Sequence, residues 1–420
     1  MPPQLKKQVL LIAFHYPPVG SSSGVHRTLK FSQYLPTFGW QPTVLTVNER
    51  AYERVSHAQL KYIPSNIVVQ RAFALDVAKH LAIRGKYIGW MSSFPDRWSS
   101  WLFAGVVSGL RLIRKNKINI IYSTYPIATA HLIGFVLHKI TGLPWVCDFR
   151  DSMTEEGYPT DPRKRAIYRW IEKRAVHQSA LCIFTAPSAV KMYRERYPKY
   201  TNKMIEIQNG FDEEAFHEIP PPAVKKKSNK IHLLHSGVLY PSERNPKPFF
   251  QAIASLKKNQ IISKETLHVT LRASGHENDF LPILDELGIR DIVEFKPPLS
   301  YTDALTEMLS VDGLMIFQAS NCNHQIPAKI YEYFRAQKPI IALTDIHGDT
   351  ASVLLDAGFS YIYDLRNSNE IKTGLKHFLE DIKTNNTNTL NDQEVTNYSR
   401  LQRSKRLAAY LDNISPTKTT

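Results

Sequence analysis

The sequence predicts an α/β protein of two doubly wound domains, each built on a parallel sheet covered by helices on both faces. Three observations predict it. Short apolar runs alternate with helical stretches, the alternation stops once in a polar segment, and it then starts again. With 420 residues, 43% of them hydrophobic, the chain is long enough to bury two such cores.

The predicted strands of the first domain are short and continuously apolar, as expected where both faces of a sheet are covered. They lie at Val9–Phe14, Thr43–Val47, Ile118–Ser123, Trp145–Phe149, Leu181–Thr185 and Met204–Ile207. Two lysines precede the first run, as in a signal peptide. Because the run is short and no small-residue cleavage site follows, we expect a buried strand instead.

A polar segment separates the two series of strands. Phe211–Lys230, FDEEAFHEIPPPAVKKKSNK, holds three prolines and a run of lysines, which is typical of a linker and not of a helix or strand. The second series is Ile231–His235, Leu267–Arg272, Ile292–Phe295, Gly313–Phe317, Pro339–Leu343 and Tyr361–Tyr363. We therefore predict a first domain over residues 1–215 and a second over 216–395.

The last part of the chain is predicted to be a helix and a tail, over residues 396–420. Residues 383–396 are polar and are predicted to form a loop. The following YSRLQRSKRLAAYLDNI has the spacing of an amphipathic helix, with Leu401, Leu407 and Leu411 as core candidates. The first domain offers a surface against which this C-terminal helix can pack.

Composition restricts the class of protein. Charged residues at 22% fit a globular chain, and Cys147, Cys182 and Cys322 are too few and too scattered for a disulfide framework or a zinc site, which favours a reducing, cytoplasmic location. No stretch approaches the roughly 18 consecutive apolar residues of a membrane span. The net charge of +15 favours nucleic acid, a membrane surface or a phosphorylated ligand as partner, unless it reflects only a basic surface.

Two strand ends of the first domain carry candidate functional residues. Gly20 and Gly24 bracket three serines between the first strand and a helix, and such a turn can aim N–H groups at a phosphate, although a merely flexible turn is the alternative. The spacing is not G-x-G-x-x-G, so the dinucleotide fingerprint is missing. Asp148, Arg150 and Asp151 cluster in WVCDFRDSM, either as a catalytic carboxylate pair or as a structural ion pair between the arginine and one aspartate.

The second domain carries two further candidate segments. In HLLHSGVLYPSERNPKPF, Gly237 permits close backbone approach after a strand and Arg244 follows on a turn, as binding of a diphosphate requires. A plain surface arginine is the alternative. In NHQIPAKIYEYFRAQKPIIAL, Lys329 and Glu332 lie one turn apart near the start of a helix predicted from Pro327. They form either a surface ion pair or a nucleotide site, in which the carboxylate accepts ribose hydroxyls and the lysine contacts a phosphate.

In their order and spacing, these segments resemble the retaining glycosyltransferases of family four, and most of all the subgroup that makes bacterial surface polysaccharides. YPPVGSSSGVHR resembles the family's amino-terminal loop, LPWVCDFRDSM the strand end facing the sugar, and HSGVLYPSERNP with IPAKIYEYFRAQKPIIAL the donor-binding domain. The resemblance covers nearly the whole chain. It implies a GT-B fold, in which two Rossmann-like domains, here an acceptor-side and a sugar-nucleotide-binding one, face each other across a cleft.

The resemblance also implies roles for individual residues. Glu332 matches the second glutamate of the family's E-x7-E pattern, which holds the ribose of the sugar nucleotide, whereas the first position is His324, so that backbone groups of Asn323–Ile326 are expected to serve the donor sugar. Arg244 matches the arginine that contacts the diphosphate, and Lys329 would be a second cation there. The implied donor-binding residues are Gly20, Gly24, Gly237, His324, Ile326 and Glu332, and the implied catalytic residues are Arg244, Lys329, Asp148 and Arg150.

The implied activity is transfer of a sugar from a nucleotide-sugar donor to a hydroxyl of a saccharide or polyprenyl-linked acceptor, with retention of anomeric configuration. Arg244 and Lys329 would stabilise the charge that develops on the leaving diphosphate. Because two fixed cations can replace a metal ion and no Asp-x-Asp motif occurs, no metal and no other cofactor is expected.

Two other functions stay open at this stage. One is a sugar-nucleotide epimerase with the same two-domain architecture. The other is a non-catalytic anion-binding protein, although no motif for RNA or DNA binding occurs and nucleic acid is not an expected partner.

One segment suggests peripheral binding to an anionic membrane surface on its cytoplasmic face. Tyr87–Lys117 combines Trp90, Trp98 and Trp101 with several basic residues, and these residue types favour the interface and anionic lipids. The alternative is that Trp101–Ile113 is a core helix with a solvated basic end.

Overall fold

The structure is a computed structural model that describes residues 7–20, 24–80, 95–219 and 229–415. Its internal contacts divide the chain into two compact units. The first contains the described residues up to Asn209 together with those from Arg400 onward, and the second is Gly210–Ser399. The predicted domain boundary at residue 215 lies inside a short helix, Glu213–His217, so the chain enters the second unit before that helix.

Within the described residues, the sheet of the first unit has seven parallel strands, and the chain reverses direction across it between β1 and β4. The strands are β1 (Lys7–Ile12), β2 (Trp40–Val47), β3 (Val68–Ala72), β4 (Ile120–Thr124), β5 (Trp145–Arg150), β6 (Leu181–Phe184) and β7 (Met204–Glu206). Their order across the sheet is β3-β2-β1-β4-β5-β6-β7. The helices before the second unit are α1 (Val25–Tyr34), α2 (Val77–His80), α3 (Trp101–Asn116), α4 (Ala128–Thr141), α5 (Pro162–Gln178) and α6 (Pro187–Arg196).

The second unit repeats this architecture. Its strands are β8 (Ile231–Ser236), β9 (Leu267–Arg272), β10 (Val293–Lys296), β11 (Gly313–Gln318), β12 (Ile340–Thr344) and β13 (Ile362–Tyr363), and among the described residues they form a parallel sheet in the order β10-β9-β8-β11-β12-β13. Its helices are α7 (Glu213–His217), α8 (Lys247–Lys258), α9 (Glu277–Glu286), α10 (Tyr301–Ser310), α11 (Lys329–Ala336), α12 (Asp349–Asp356), α13 (Ser368–Thr384) and α14 (Asp392–Thr396). The predicted fold class is confirmed, and the chain reverses here between β8 and β11.

The last helix, α15 (Arg400–Ile414), packs within the first unit. Leu407 and Leu411 are fully buried in the same core cluster as Val9 and Leu11 of β1. Leu401 is 37% exposed, so its assignment to the core was wrong. The reason is the helical period: Leu407 and Leu411, four residues apart, share a face, and Leu401 lies on another.

Three local predictions were wrong for identifiable reasons. β3 was missed because, within the described residues, it is an edge strand paired with β2 alone and alternates in exposure, so it has no continuous apolar run. Helix α7 forms inside the predicted linker, where Glu213 binds Arg335 and Phe216 is buried. Residues 220–228 of that linker lie outside the described residues. Helix α14 forms inside the predicted polar loop, because Asn391 and Glu394 make a capping box.

No helix in the described part of the chain combines the length and the apolar character that crossing a bilayer requires.

Candidate functional site

The second unit gathers cationic and polar side chains where its two central strands end. β8 and β11 are neighbours at the point where the sheet order reverses, and in open α/β sheets ligands bind beyond the carboxyl ends of such strands. The residues that meet there, which we call the strand-end cluster, are Gly237 and the side chains of His235, Arg244, Gln318 and Lys329.

Lys329 is the first residue of α11, which begins there and not at Pro327 as predicted. Its Nζ lies at hydrogen-bond distance, 3.2 Å, from Nε2 of His235. It also lies against Gly237, whose φ of +129° favours glycine, and a Cβ at that position would lie 2.5 Å from the amine. A glycine is therefore needed at Gly237 both for the backbone conformation and for the space that the amine occupies.

The electrostatic surroundings of Lys329 weaken its hold on a proton. Burial and the nearby Arg244 guanidinium lower the pKa of Lys329 to about 7, while the charge of Glu332 acts in the opposite direction. Burial and the positive charges of Lys329 and Arg244 hold the pKa of His235 well below its usual value. An anion bound beside these residues would reverse this effect on Lys329.

Arg244 is held by neutral groups. Its Nε donates to Oε1 of Gln318 at 3.4 Å and its Nη1 to the carbonyl of Val238 at 3.2 Å. Gln318, which is 1% exposed, donates in turn to the carbonyls of Cys322 and Gln325. Among the described residues, no carboxylate lies within ion-pair distance of Arg244 or of Lys329.

The other predicted donor-binding residues of this unit lie on α11 and on the connection before it. Glu332 accepts a hydrogen bond from the Tyr301 hydroxyl at 2.9 Å, so Lys329 and Glu332 have different hydrogen-bond partners. His324 is half-buried and Ile326 is buried.

Two backbone amides of that connection are already engaged. The N–H of Asn323 donates to the carbonyl of Ser320, and the N–H of Gln325 donates to that of Cys322. These two groups of the predicted Asn323–Ile326 contact are used within the turn.

In the first unit, Asp148 is paired with an arginine that the sequence reasoning did not consider. It is fully buried at the end of β5, and its two oxygens accept from Nε of Arg27 at 2.7 Å and Nη2 of Arg27 at 3.2 Å. Tyr122 also donates to it. Arg27 donates further to the carbonyls of Ile207 and Gln208. A structural ion pair, one of the two alternatives for this motif, therefore forms here between Asp148 and Arg27 and not Arg150, and both oxygens of Asp148 accept hydrogen bonds from it.

Arg150 lies at the end of the same strand. Its backbone φ of +55° is unusual for a residue other than glycine. Its Nη1 donates to the carbonyl of Gly24 at 3.3 Å, and among the described residues its buried Nε has no hydrogen-bond partner. Burial and the Arg150 charge lower the pKa of His15 to about 3, and burial raises the pKa of Asp151. The N–H of Gly20 donates to the carbonyl of Arg54, so this amide is not available to a phosphate.

The structure corrects the interpretation of the tryptophan-rich segment. Trp101 is fully buried, and Trp98 donates to the carbonyl of Ala51 and packs on Phe14, so neither is an interfacial side chain. Trp90 lies outside the described residues. Phe103 of α3 is 80% exposed instead.

Sequence reasoning missed His235, Gln318 and Arg27. His235 and Gln318 could have been found from one signal, a polar residue in the last positions of a buried apolar strand. Arg27 shows the helical signal, since it lies four residues before the buried Phe31 on the apolar face of α1.

Comparison with known proteins shows the fold and not a family. No protein-family model matches the chain, and no curated protein sequence matches it. Among solved structures, sucrose-phosphate synthase from Thermosynechococcus elongatus has a TM-score of 0.68 at 12% identity, covering 97% of this chain and 99% of that one. HepE from Anabaena, in complex with UDP, has a TM-score of 0.65 at 15% identity, covering 97% of this chain and 100% of that one.

A further similar structure is WaaG, a glycosyltransferase involved in lipopolysaccharide biosynthesis. Its TM-score is 0.58 at 13% identity, and the match covers 96% of this chain and 95% of that one. Because the matches span nearly the full length of both chains, the GT-B-like fold class is confirmed. At these identities the likeness carries the fold alone.

Proposed function

We propose that this protein is a glycosyltransferase that transfers a sugar from a nucleotide-sugar donor. The observation that carries the proposal is the pair of cations in the strand-end cluster. Arg244 and Lys329 lie at the carboxyl ends of the central strands, and among the described residues neither has a carboxylate partner. A diphosphate supplies the missing negative charge, and both cations can hold it more strongly as charge develops on the leaving oxygens.

The fold, and the nucleotide complexes of a protein that shares it, support a nucleotide-sugar donor. HepE, which shares the fold, has been solved with UDP and with UDP-glucose. For this chain we propose a uridine nucleotide. The half-buried Glu332 accepts hydrogen bonds from the ribose hydroxyls, and Gly237 lies beneath the diphosphate. The chemistry needs a donor, an acceptor hydroxyl and positive charge at the leaving group.

The finer assignment rests on the resemblance in sequence to family four. We propose that the acceptor hydroxyl bonds to the anomeric carbon on the face from which the diphosphate departs, so that configuration is retained. The nucleoside diphosphate leaves with the donor's bonding pair, and the proton of the acceptor hydroxyl passes to a departing diphosphate oxygen. Surface polysaccharide or glycolipid synthesis is the proposed context, and the acceptor is a saccharide or a polyprenyl-linked saccharide.

The test is incubation with a panel of radiolabelled sugar nucleotides and a hydroxyl-bearing saccharide or polyprenyl-linked saccharide acceptor. Transfer of label to the acceptor supports the proposal, an epimerised sugar nucleotide identifies an epimerase, and neither product contradicts both. Arg244→Ala should lower kcat more than it raises the KM for the donor, since the charge grows towards the transition state. Arg290→Ala, at an exposed arginine paired with Asp285, is the matched control and should behave as the parent.

We also propose a peripheral position on the cytoplasmic face of a membrane, through the exposed side of α3. Phe103 is 80% exposed there, and Arg111, Arg114 and Lys115 are exposed on the same helix. Each basic residue near an anionic surface contributes about 1 kcal/mol of binding.

Co-sedimentation with anionic vesicles at low and high salt tests this proposal. Phe103→Ser should reduce binding at low salt, whereas Ile140→Ser, at another exposed apolar side chain of the unit, should not. A parent protein that stays in the supernatant at both salts does not dock on membranes.

A further inference from the structure

His235 is an unusual neighbour for a lysine that is to meet an anion. It is 1% exposed near the end of β8, and its Nδ1 lies 2.9 Å from the carbonyl oxygen of Met315 on the adjacent strand β11. A carbonyl can only accept, so the hydrogen-bond network assigns the ring proton to Nδ1. Nε2 is left with a lone pair, and this lone pair points at Nζ of Lys329, 3.2 Å away.

Such an imidazole can serve the amine in both of its protonation states. An ammonium donates one of its three N–H groups to Nε2 and keeps the others for a ligand, and a neutral amine can still donate one. A protonated His235 would instead place a donor against a donor, beside two cations. The ring is therefore suited to be a permanent acceptor, and Gly237 leaves the space in which the amine sits.

The groups around Lys329 determine whether its amine gains or loses a proton when an anion binds. From β8 it faces the neutral His235, from the β8–α8 connection it faces the Arg244 guanidinium, and one turn along its own helix lies Glu332. Burial and the Arg244 cation favour loss of a proton from Lys329, whereas the Glu332 carboxylate and a bound diphosphate favour its retention.

We infer that His235 is a positioning residue for Lys329, whose amine it holds at the end of β8, and that this amine takes up a proton when a nucleotide diphosphate binds. The inference rests on the proposed function, because it takes the diphosphate of the donor as the ligand. It goes beyond the proposed function in two respects, because sugar transfer by itself requires neither a positioning role for His235 nor uptake of a proton by Lys329.

Isothermal titration calorimetry with UDP-glucose, in buffers of different ionisation enthalpy, measures the proton uptake. This probe is chosen because its diphosphate diester keeps the same charge between pH 6 and pH 8. With a pKa of about 7 for Lys329 before binding, uptake should rise from about 0.1 proton at pH 6 to about 0.9 proton at pH 8, provided that the bound amine stays charged. Lys329→Met should abolish it.

Two variants of His235 separate positioning from a structural role. In His235→Gln the side-chain oxygen takes the place of Nε2 and can still accept from Lys329, but the bond to Met315 is lost. In His235→Asn the amide takes the place of Nδ1 and keeps the bond to Met315, but the acceptor for Lys329 is lost. A positioning role predicts that the Gln variant retains proton uptake, while the Asn variant loses it and binds UDP-glucose roughly tenfold more weakly. His232→Gln, on the same strand, is the control and should behave as the parent.

Each outcome decides the matter. An Asn variant that behaves as the parent beside an impaired Gln variant would show a structural role and overturn the inference. Binding of UDP-glucose without proton uptake overturns it as well, and leaves the proposed function in place. If UDP-glucose, GDP-mannose and ADP-glucose all fail to bind, the proposed function fails and the inference fails with it. If neither variant folds by circular dichroism, the imidazole 15N spectrum decides the role of His235: the Nε2 resonance must shift in Lys329→Met, and an unchanged resonance overturns the inference.

Discussion

Each unit holds a cation where its central strands end, buried in the case of Arg27 and half-buried in the case of Lys329, but the two differ in their partners. Arg27 in the first unit is held by both oxygens of Asp148 and by two backbone carbonyls. Lys329 in the second unit has a neutral imidazole as its hydrogen-bond partner and Arg244 nearby. A buried charge that has its counter-ion is part of the fold, whereas one held by neutral groups beside a like charge is suited to a ligand.

Asp148 and Arg150 of the first unit differ in the same way. Both were predicted catalytic from one short motif, yet they differ in what surrounds them. The oxygens of Asp148 are both hydrogen-bonded and buried, while Arg150 has an unusual backbone conformation and a buried Nε with no partner among the described residues. Of the two, Arg150 has more of the features that accompany function.

The largest effect is expected for the buried pair. Asp148→Asn should lower the free energy of unfolding of the first unit by about 3–5 kcal/mol, because it leaves the Arg27 charge buried without a counter-ion. All six tryptophans lie between residues 40 and 170, so their fluorescence in a urea titration reports on this unit. Glu49→Gln, in an exposed ion pair with His57, is the control and should change stability by less than about 0.5 kcal/mol. Lost turnover with unchanged stability would place Asp148 in the chemistry instead.

Lys329→Met should have the opposite profile. It should lower turnover by about 100- to 1,000-fold, since it removes one of two cations expected to stabilise the leaving diphosphate. Stability should not fall, because the lost hydrogen bond is offset by relief of repulsion from Arg244. The matched control is Lys376→Met, at an exposed lysine of α13. Turnover within about twofold of the parent would contradict the proposed contrast, because Lys329 would then have no role in the reaction and would differ from Arg27 only in its partners.

A smaller effect is expected at Glu332. Glu332→Gln should weaken binding of UDP-glucose by roughly tenfold, because a neutral amide accepts the ribose hydroxyls less strongly than a carboxylate does. The variant keeps an oxygen that can accept from Tyr301, so the fold should be unchanged. Glu286→Gln, at an exposed position of α9, serves as the control. Normal affinity in a titration would assign Glu332 to the surface of α11 and to no ligand.

No effect is expected from removal of divalent metal ions. If Arg244 and Lys329 supply the positive charge at the leaving group, transfer measured after dialysis against EDTA should equal that of the untreated protein. Added Mg²⁺ or Mn²⁺ should then not increase it. A loss that either ion restores would show that the two cations are insufficient.

Patterns along the chain predicted much of the fold. Each predicted strand of the first unit overlaps a strand of the structure, and β3 was missed because its burial depends on which strand lies beside it. For the same reason α7 could not be predicted: Glu213 stabilises it only because Arg335, 122 residues away, lies opposite. Periodicity reports which face of an element is apolar, and it carries no information on a distant partner.

The candidate site divides along the same line. The sequence by itself determined that the chain forms two doubly wound domains, that Gly237 and Arg244 follow a strand, and that Lys329 and Glu332 begin a helix, because these features depend on residues close together in the chain. Only the tertiary structure decided that Asp148 pairs with Arg27, 121 residues away, and that Lys329 meets His235, 94 residues away. The strength of an ion pair or hydrogen bond depends on distance in space and on exclusion of water, and the packed fold determines both.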